Sequence, residues 1–116
     1  MTETTYTGVK KLLIPWVSDE SGDYSETSDF IGYDGKIIAL YTEPAAGEDA
    51  PTDDYDVTLL DKDGTDVLLG AGLDRDTADA EVVASDSLGA VAGSPLTLVV
   101  ANAGSEKGGT VIVYIR

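Results

Sequence analysis

The sequence predicts a single all-β domain, and three observations lead to that prediction. The chain has 116 residues, close to the commonest size of a domain with one core. Hydrophobic residues make up 42 % of it, which is enough for a packed interior and too many for a disordered acidic segment. Short β-branched runs alternate with Gly- and Asp-containing turns, and no stretch has the period of an amphipathic helix. We therefore predict a β-sandwich or jelly-roll-like domain of about seven to nine short antiparallel strands.

The first part of the chain combines a polar segment, a strand and a loop. Residues 1–8 (MTETTYTG) are small and polar, and we interpret them as a flexible N-terminal arm that becomes ordered against a partner. The sandwich domain then covers residues 9–116, and its first strand is VKKLLIPWV (9–17). Because Pro15 cannot donate to a ladder, this strand should lie at an edge or bend there. Residues 19–26 are acidic and predict a loop.

The middle of the chain contains two predicted strands joined by a turn. Thr27–Tyr33 is a weak strand and Gly35–Thr42 a strong one, and Asp34-Gly35 between them is typical of tight hairpin turns. Residues 43–54 contain two prolines and five acids, which predicts a long exposed loop.

The next strand, Tyr55–Leu60, alternates so that Tyr55, Val57 and Leu59 should share one face. Residues 61–64 then predict a turn into a second hairpin strand, 65–69.

The last third begins with an ambiguous stretch and ends with the clearest pattern. Residues 74–84 suit either a helical turn or a short strand at Glu81-Val-Val. Leu96–Ala101 and Thr110–Arg116 are β-branched runs separated by a Gly-bearing segment, and we predict that they pair as a β-hairpin. Because the chain ends inside a predicted strand, C-terminal truncation should unfold the domain.

Charge and composition exclude several classes of function. The chain has 22 Asp and Glu against 7 Lys and Arg, a net charge of −15. Nucleic-acid and anionic membrane partners are disfavoured because they require a basic face. Without Cys or His, the chain lacks the commonest general base and the usual transition-metal ligands. We expect no enzyme activity and no cofactor. No apolar run could span a membrane and no secretory signal is evident, so synthesis in a cytoplasm is expected.

One acidic run invites comparison with calcium-binding loops. In Asp61-Lys-Asp-Gly-Thr-Asp66 the glycine comes too early for an EF-hand, and the twelfth position is Gly72 where that motif has Glu. The preferred interpretation is a hairpin turn, in which Asp and Gly supply the backbone shape. Weak surface cation binding at Asp61, Asp63 and Asp66 stays open as the alternative.

Four residues are candidates for contacts with a partner. Tyr6 and Tyr24 lie in polar or acidic segments, where a tyrosine suits an interface. Trp16, beside Pro15, would either cap the sandwich or contact a partner. Arg75, between Asp74 and Asp76, would form an ion pair within the chain or between subunits.

Two segments resemble a known group of proteins. The run GKIIALYTEPAAGEDAPTDDYDVTLLDKDGTDVLLGAGLDRDT (35–77) and the terminal run LTLVVANAGSEKGGTVIVYIR (96–116) together cover over half of the chain. Both are similar to small structural proteins of tailed-bacteriophage virions. The resemblance implies a viral structural protein, and by analogy of size and fold a capsid decoration or cement protein. Its partners would be the major capsid protein and copies of itself, at the capsid surface of the virion.

Two other readings of function stay open at this point. The first is a tail, neck or fibre-associated binding module of the same virion. The second is a carbohydrate- or calcium-binding β-sandwich, suggested by Trp16, Tyr24 and the acids between residues 53 and 66.

Overall fold

The computed structural model describes all 116 residues, as nine β-strands and two single-turn 3₁₀ helices. The strands, in chain order, are β1 (Thr2–Tyr6), β2 (Val9–Val17), β3 (Tyr24–Thr27), β4 (Tyr33–Pro44), β5 (Asp56–Leu60), β6 (Glu81–Ala84), β7 (Ala90–Ser94), β8 (Thr97–Ala101) and β9 (Gly108–Ile115). The 3₁₀ helices cover Gly47–Asp49 and Ser85–Ser87.

The strands form two antiparallel sheets that pack as a sandwich. The larger sheet has the order β1-β2-β9-β4-β6, with β7 paired to the start of β4, and the smaller has the order β3-β8-β5. From β2 to β9 the chain changes sheet at every connection except the one between β6 and β7, which is the connectivity of a jelly roll. The prediction of an all-β sandwich-like domain is confirmed, with nine strands.

The core lies between the two sheets and is one cluster of 20 buried hydrophobic residues. Alternate residues of each central strand enter it, as the pleat requires. Tyr55, Val57 and Leu59 are all fully buried, so the face predicted from their alternation is confirmed. A fully buried Leu or Ile stabilises the fold by about 1.5–3 kcal/mol.

Pro15 lies where strand β2 has an open edge. Strand β1 pairs with β2 only as far as Leu13, so the part of β2 beyond that residue pairs with β9 alone. The missing N–H of Pro15 therefore leaves no gap in a ladder, as the prediction of an edge position required.

Residues 1–8, predicted as an arm, lie mostly in the larger sheet. Thr2–Tyr6 form edge strand β1, and the Thr7-Gly8 turn joins it to β2. Threonine has a high β propensity, and Gly8 supplies the positive φ (75°) that a two-residue hairpin needs. Every residue of β1 is exposed, so its pairing with β2 holds it in place with little burial.

Two predicted hairpins are wrong. Asp34-Gly35 is not a turn but lies inside β4, at a bulge, where a side chain on Gly35 would collide with the carbonyl oxygen of Arg116. Strands β8 and β9 do not pair with each other. They belong to opposite sheets, and residues 102–107 connect them across the end of the sandwich.

Two weaker predictions also change, and one open alternative is resolved. The strand predicted over residues 27–33 is replaced by β3, which begins earlier, and by a loop. The hairpin predicted after Asp61 reduces to a single bridge between Leu60 and Asp66. Of the two alternatives for residues 74–84, the short strand is found, as β6.

Candidate interaction surfaces

Four loop segments meet at one end of the sandwich, which we call the acidic end (residues 18–23, 43–56, 72–81 and 102–107). Hydrogen bonds join them: the Ser18 hydroxyl donates to the Gly104 carbonyl (2.6 Å), and the Lys107 ammonium donates to the Glu48 carbonyl (2.6 Å). The Thr77 amide donates to the Asp53 carboxylate (3.2 Å). These contacts make the four loops one continuous surface.

The acidic end holds most of the charge of the molecule. Its segments contain 14 of the 22 acidic residues and only two of the seven basic ones, so −12 of the net −15 lies there. Repulsion by Asp53, slight desolvation and further repulsion by neighbouring aspartates raise the pKa of the Asp54 carboxyl. This direction of shift indicates that the carboxylates are close enough to oppose one another.

The two basic residues of the acidic end bind within the chain. The Arg75 guanidinium lies 3.7 Å from the Glu81 carboxylate and donates to the Leu73 carbonyl (3.1 Å). Of the two predicted roles of Arg75, the ion pair within the chain is therefore the one present.

At the other end, apolar side chains point into solvent. We call this the apolar end (residues 6–10 and 28–33). Ile31 is 74 % exposed, and Tyr6 and Phe30 are also exposed. Phe30 packs edge-on against Tyr33 at 4.8 Å between ring centroids, and the Lys10 ammonium lies 4.7 Å from the Phe30 ring centre. A cation–π contact of this kind holds the aromatic side chain in place on the surface.

A cavity of about 310 Å³ adjoins the apolar end. It is lined by Met1, Glu3, Glu26, Ser28, Asp29, Phe30 and Tyr33. The Tyr33 hydroxyl donates to the Glu3 carboxylate (2.8 Å), and burial followed by this carboxylate raises the pKa of Tyr33. The Glu26 carboxylate accepts from the Met1 amine (2.8 Å), so the acids of this cavity largely have partners.

Tyr24 is partly buried and reaches this cavity only through its contact with Glu26. Its hydroxyl donates to Glu26 (2.6 Å). Burial, and then the hydrogen bond and the charge of Glu26, raise the pKa of Tyr24 to about 12. Tyr24 packs against the core and is an intramolecular contact as much as a surface group.

The structure separates the four predicted contact residues. Tyr6 is exposed at the apolar end and Arg75 is at the acidic end, on opposite sides of the molecule. Trp16 is only 2 % exposed and packs on Tyr55, with ring centroids 5.6 Å apart, so of its two predicted roles it caps the sandwich interior and is not available to a partner.

The acidic run after β5 is a turn held by its own aspartates. The Asp61 carboxylate accepts from the amides of Asp63 (2.9 Å) and Thr65 (3.0 Å). The Asp66 carboxylate accepts three amides, among them those of Leu59 (3.1 Å) and Gly70 (3.0 Å). No group of three or more acidic side chains is arranged to hold a metal ion. The carboxylates of Asp61 and Asp66 therefore shape the loop. This agrees with the interpretation of residues 61–66 as a turn.

The exposed pair Phe30-Ile31 was not predicted from the sequence. The signal was available, because two large apolar residues follow an acidic, Ser-rich loop. They were assigned instead to the interior of a weak strand.

Comparisons with known proteins add no relative: no family model, curated protein or solved structure matches this chain. The structure contains no helix with the length and apolar character needed to cross a membrane.

Proposed function

We propose that this protein is a virion structural protein that binds the outer shell of a tailed-phage head, where it acts as a decoration or cement protein. The observation that carries the proposal is the two-ended surface, with exposed apolar side chains at one end and a charge of −12 at the other. The resemblance of residues 35–77 and 96–116 to phage virion proteins supports the choice of partner. The jelly-roll connectivity, common in viral capsid domains, is consistent with it.

The apolar end is the end that would bind the shell. Aromatic side chains are enriched at the centres of protein interfaces, and Tyr6, Phe30 and Ile31 are already exposed there without large rearrangement. The remaining charge outside the acidic end is only −3, so an approach to an acidic surface through the apolar end meets much less repulsion than one through the acidic end.

The acidic end would then face solvent. Like charges brought together at an interface are strongly unfavourable unless the partner is basic. Directed outward, the same charges keep decorated particles apart and soluble. The proposal requires no catalytic step and no cofactor.

Copy number is the first test of the proposal. Quantitative mass spectrometry of purified particles would measure this protein against the major capsid protein. We expect a ratio near one, or a simple fraction such as a third. A few copies per particle would instead assign it to the tail or neck, and complete absence from particles would overturn the virion proposal.

A matched pair of variants tests the orientation. Ile31→Ser removes an exposed apolar side chain from the apolar end, and Leu73→Ser removes one from the acidic end. Each purified variant is added to particles that lack the protein, and the bound fraction is measured by co-sedimentation. We expect weaker binding for Ile31→Ser alone. Equal binding by both variants, or weaker binding by Leu73→Ser alone, would contradict the orientation.

A further inference from the structure

The outer face of the larger sheet carries an unusual set of side chains. The strand registers align its outward positions in three rows: Thr2, Leu13, Ile112, Tyr41 and Val82; Thr4, Lys11, Tyr114, Ala39 and Ala84; and Pro15, Thr110 and Glu43. In the first row, four neighbouring strands each present a large apolar side chain. Tyr41 and Tyr114 are in contact, with ring centroids 5.5 Å apart, and Val82 is 64 % exposed.

The outer face of the smaller sheet gives the contrast. Of its eight outward positions on β3, β8 and β5, four are hydroxyl side chains, one is Asp56 and three are apolar, and Thr27 and Thr97 hydrogen-bond across it at 2.8 Å. No row on this face carries large apolar side chains on neighbouring strands, in contrast to the first row of the larger sheet. The apolar rows of the larger sheet are typical of a face that is covered.

The charge of this outer face indicates which partner covers it. The three rows contain one acid, Glu43, and one base, Lys11, so the face is neutral in a molecule of net charge −15. Two copies of this chain repel each other most strongly through their acidic ends, which hold −12 of that charge. They approach with the least repulsion where both surfaces are neutral.

We propose that the outer face of the larger sheet is the contact between two copies of this chain, packed face to face. This interaction is separate from shell binding, because it uses the side of the sandwich and leaves Phe30 and Ile31 of the apolar end free. It does not depend on the proposed function and can occur in solution.

The size of the face sets the strength of the contact. Five strands at about 4.8 Å spacing and three rows at about 6.8 Å make a patch of roughly 19 by 14 Å. Two such patches cover roughly 530 Å² in total, which is well below the roughly 1,200 Å² at which stable specific interfaces begin. We therefore expect a weak, reversible dimer that depends on protein concentration, and that becomes more populated where copies are held close together.

Salt dependence distinguishes this contact from one made by ion pairs. Raising the ionic strength from about 0.1 M to about 1 M shortens the Debye length from roughly 10 Å to roughly 3 Å. The repulsion between two copies, each with a net charge of −15, is then screened, while the apolar contact is not weakened. Sedimentation velocity should show more dimer at high salt. Association that weakens with salt would contradict the proposal.

A pair of variants matched in exposure and charge tests the location. Val82 and Leu69 are each 64 % exposed, but only Val82 lies on the proposed face. Val82→Asp should shift the chain to monomer at every salt concentration, and Leu69→Asp should dimerise like the unmodified protein. Equal behaviour of the two variants would overturn the assignment.

A measurement on the unmodified protein covers the case in which Val82→Asp does not fold. Backbone amide NMR spectra are recorded as the protein concentration rises at high salt. We expect shift changes confined to β1, β2, β4, β6 and β9. Shifts confined to other strands or to the loops, or a protein that stays monomeric up to millimolar concentration, would overturn the proposal.

Discussion

The Trp16 indole packs closely against the backbone of Gly109 at one end of the core. Strands β2 and β9 place the two residues opposite each other, and the indole covers the backbone of Gly109. A Cβ at position 109 would lie 2.9 Å from the nearest indole carbon and 2.8 Å from the Glu43 carbonyl oxygen. The indole N–H has no hydrogen-bond partner. The ring is held by its packing against Tyr55 and the Gly109 backbone.

At this scale, Gly109→Ala should destabilise the protein by roughly 1–3 kcal/mol, because the added methyl group overpacks a rigid site. The indole would also move, so the fluorescence of the single tryptophan should change in the folded state. Chemical denaturation followed by fluorescence and by circular dichroism measures both effects. Gly32→Ala is the control, since its nearest contact would be the Phe30 ring at 3.7 Å. Equal stability of the two variants would contradict the packing argument.

The first strand, β1, and the last strand, β9, differ sharply in the number of strands they pair with and in the side chains they bury. Strand β9 lies in the middle of the larger sheet, pairs with both β2 and β4, and buries Val111, Val113 and Ile115. Strand β1 pairs with one neighbour, and all five of its residues are exposed. A strand contributes to stability mainly through the side chains that it buries, so only β9 is needed for the core.

Deletion of each strand tests this difference. Removal of residues 111–116 should leave the chain unfolded, because the larger sheet loses its central strand. Removal of residues 1–6 should leave a cooperative thermal transition at a modestly lower temperature. Circular dichroism during heating distinguishes the two outcomes. A folded product of the first deletion, or an unfolded product of the second, would show that burial does not decide which strand is essential.

Over the whole molecule, the main electrostatic feature is the concentration of charge at the acidic end. Asp54 has a raised pKa, so the folded state binds its proton more tightly than the unfolded chain does. The repulsion felt by Asp54 is absent below 3.8, which is its pKa in the unfolded chain, and is complete above its pKa in the folded protein. The destabilisation caused by the charged Asp54 therefore disappears as the pH falls from above the folded pKa to below 3.8.

Asp54→Asn should raise the melting temperature at pH 7, and added salt should raise it less in the variant than in the unmodified protein. Asn also tolerates the positive φ (64°) of this position, so the backbone is unchanged. Below pH 3.8 the difference between variant and unmodified protein should vanish. Asp63→Asn, outside the acidic end, is the control. A lower melting temperature for Asp54→Asn at pH 7 would contradict the electrostatic argument.

The sequence by itself determined the fold class and the buried face of strand β5. Alternation along Tyr55–Leu60 predicted three fully buried side chains, because a pleated strand has only two faces. The missing N–H of Pro15 likewise predicted an open edge. These inferences rest on local geometry, which needs no knowledge of distant residues.

Only the tertiary structure decided how the strands are paired and which surfaces are exposed. The sequence pattern of β8, a Gly-bearing loop and β9 is the same for a hairpin and for an arch between two sheets. The arch forms because β8 pairs with β3 and β5, while β9 pairs with β2 and β4. Trp16 became a core residue for the same reason. The acidic end, the apolar end and the neutral sheet face each combine segments that are far apart in the chain. Long-range pairing brings those segments together, and no local pattern encodes it.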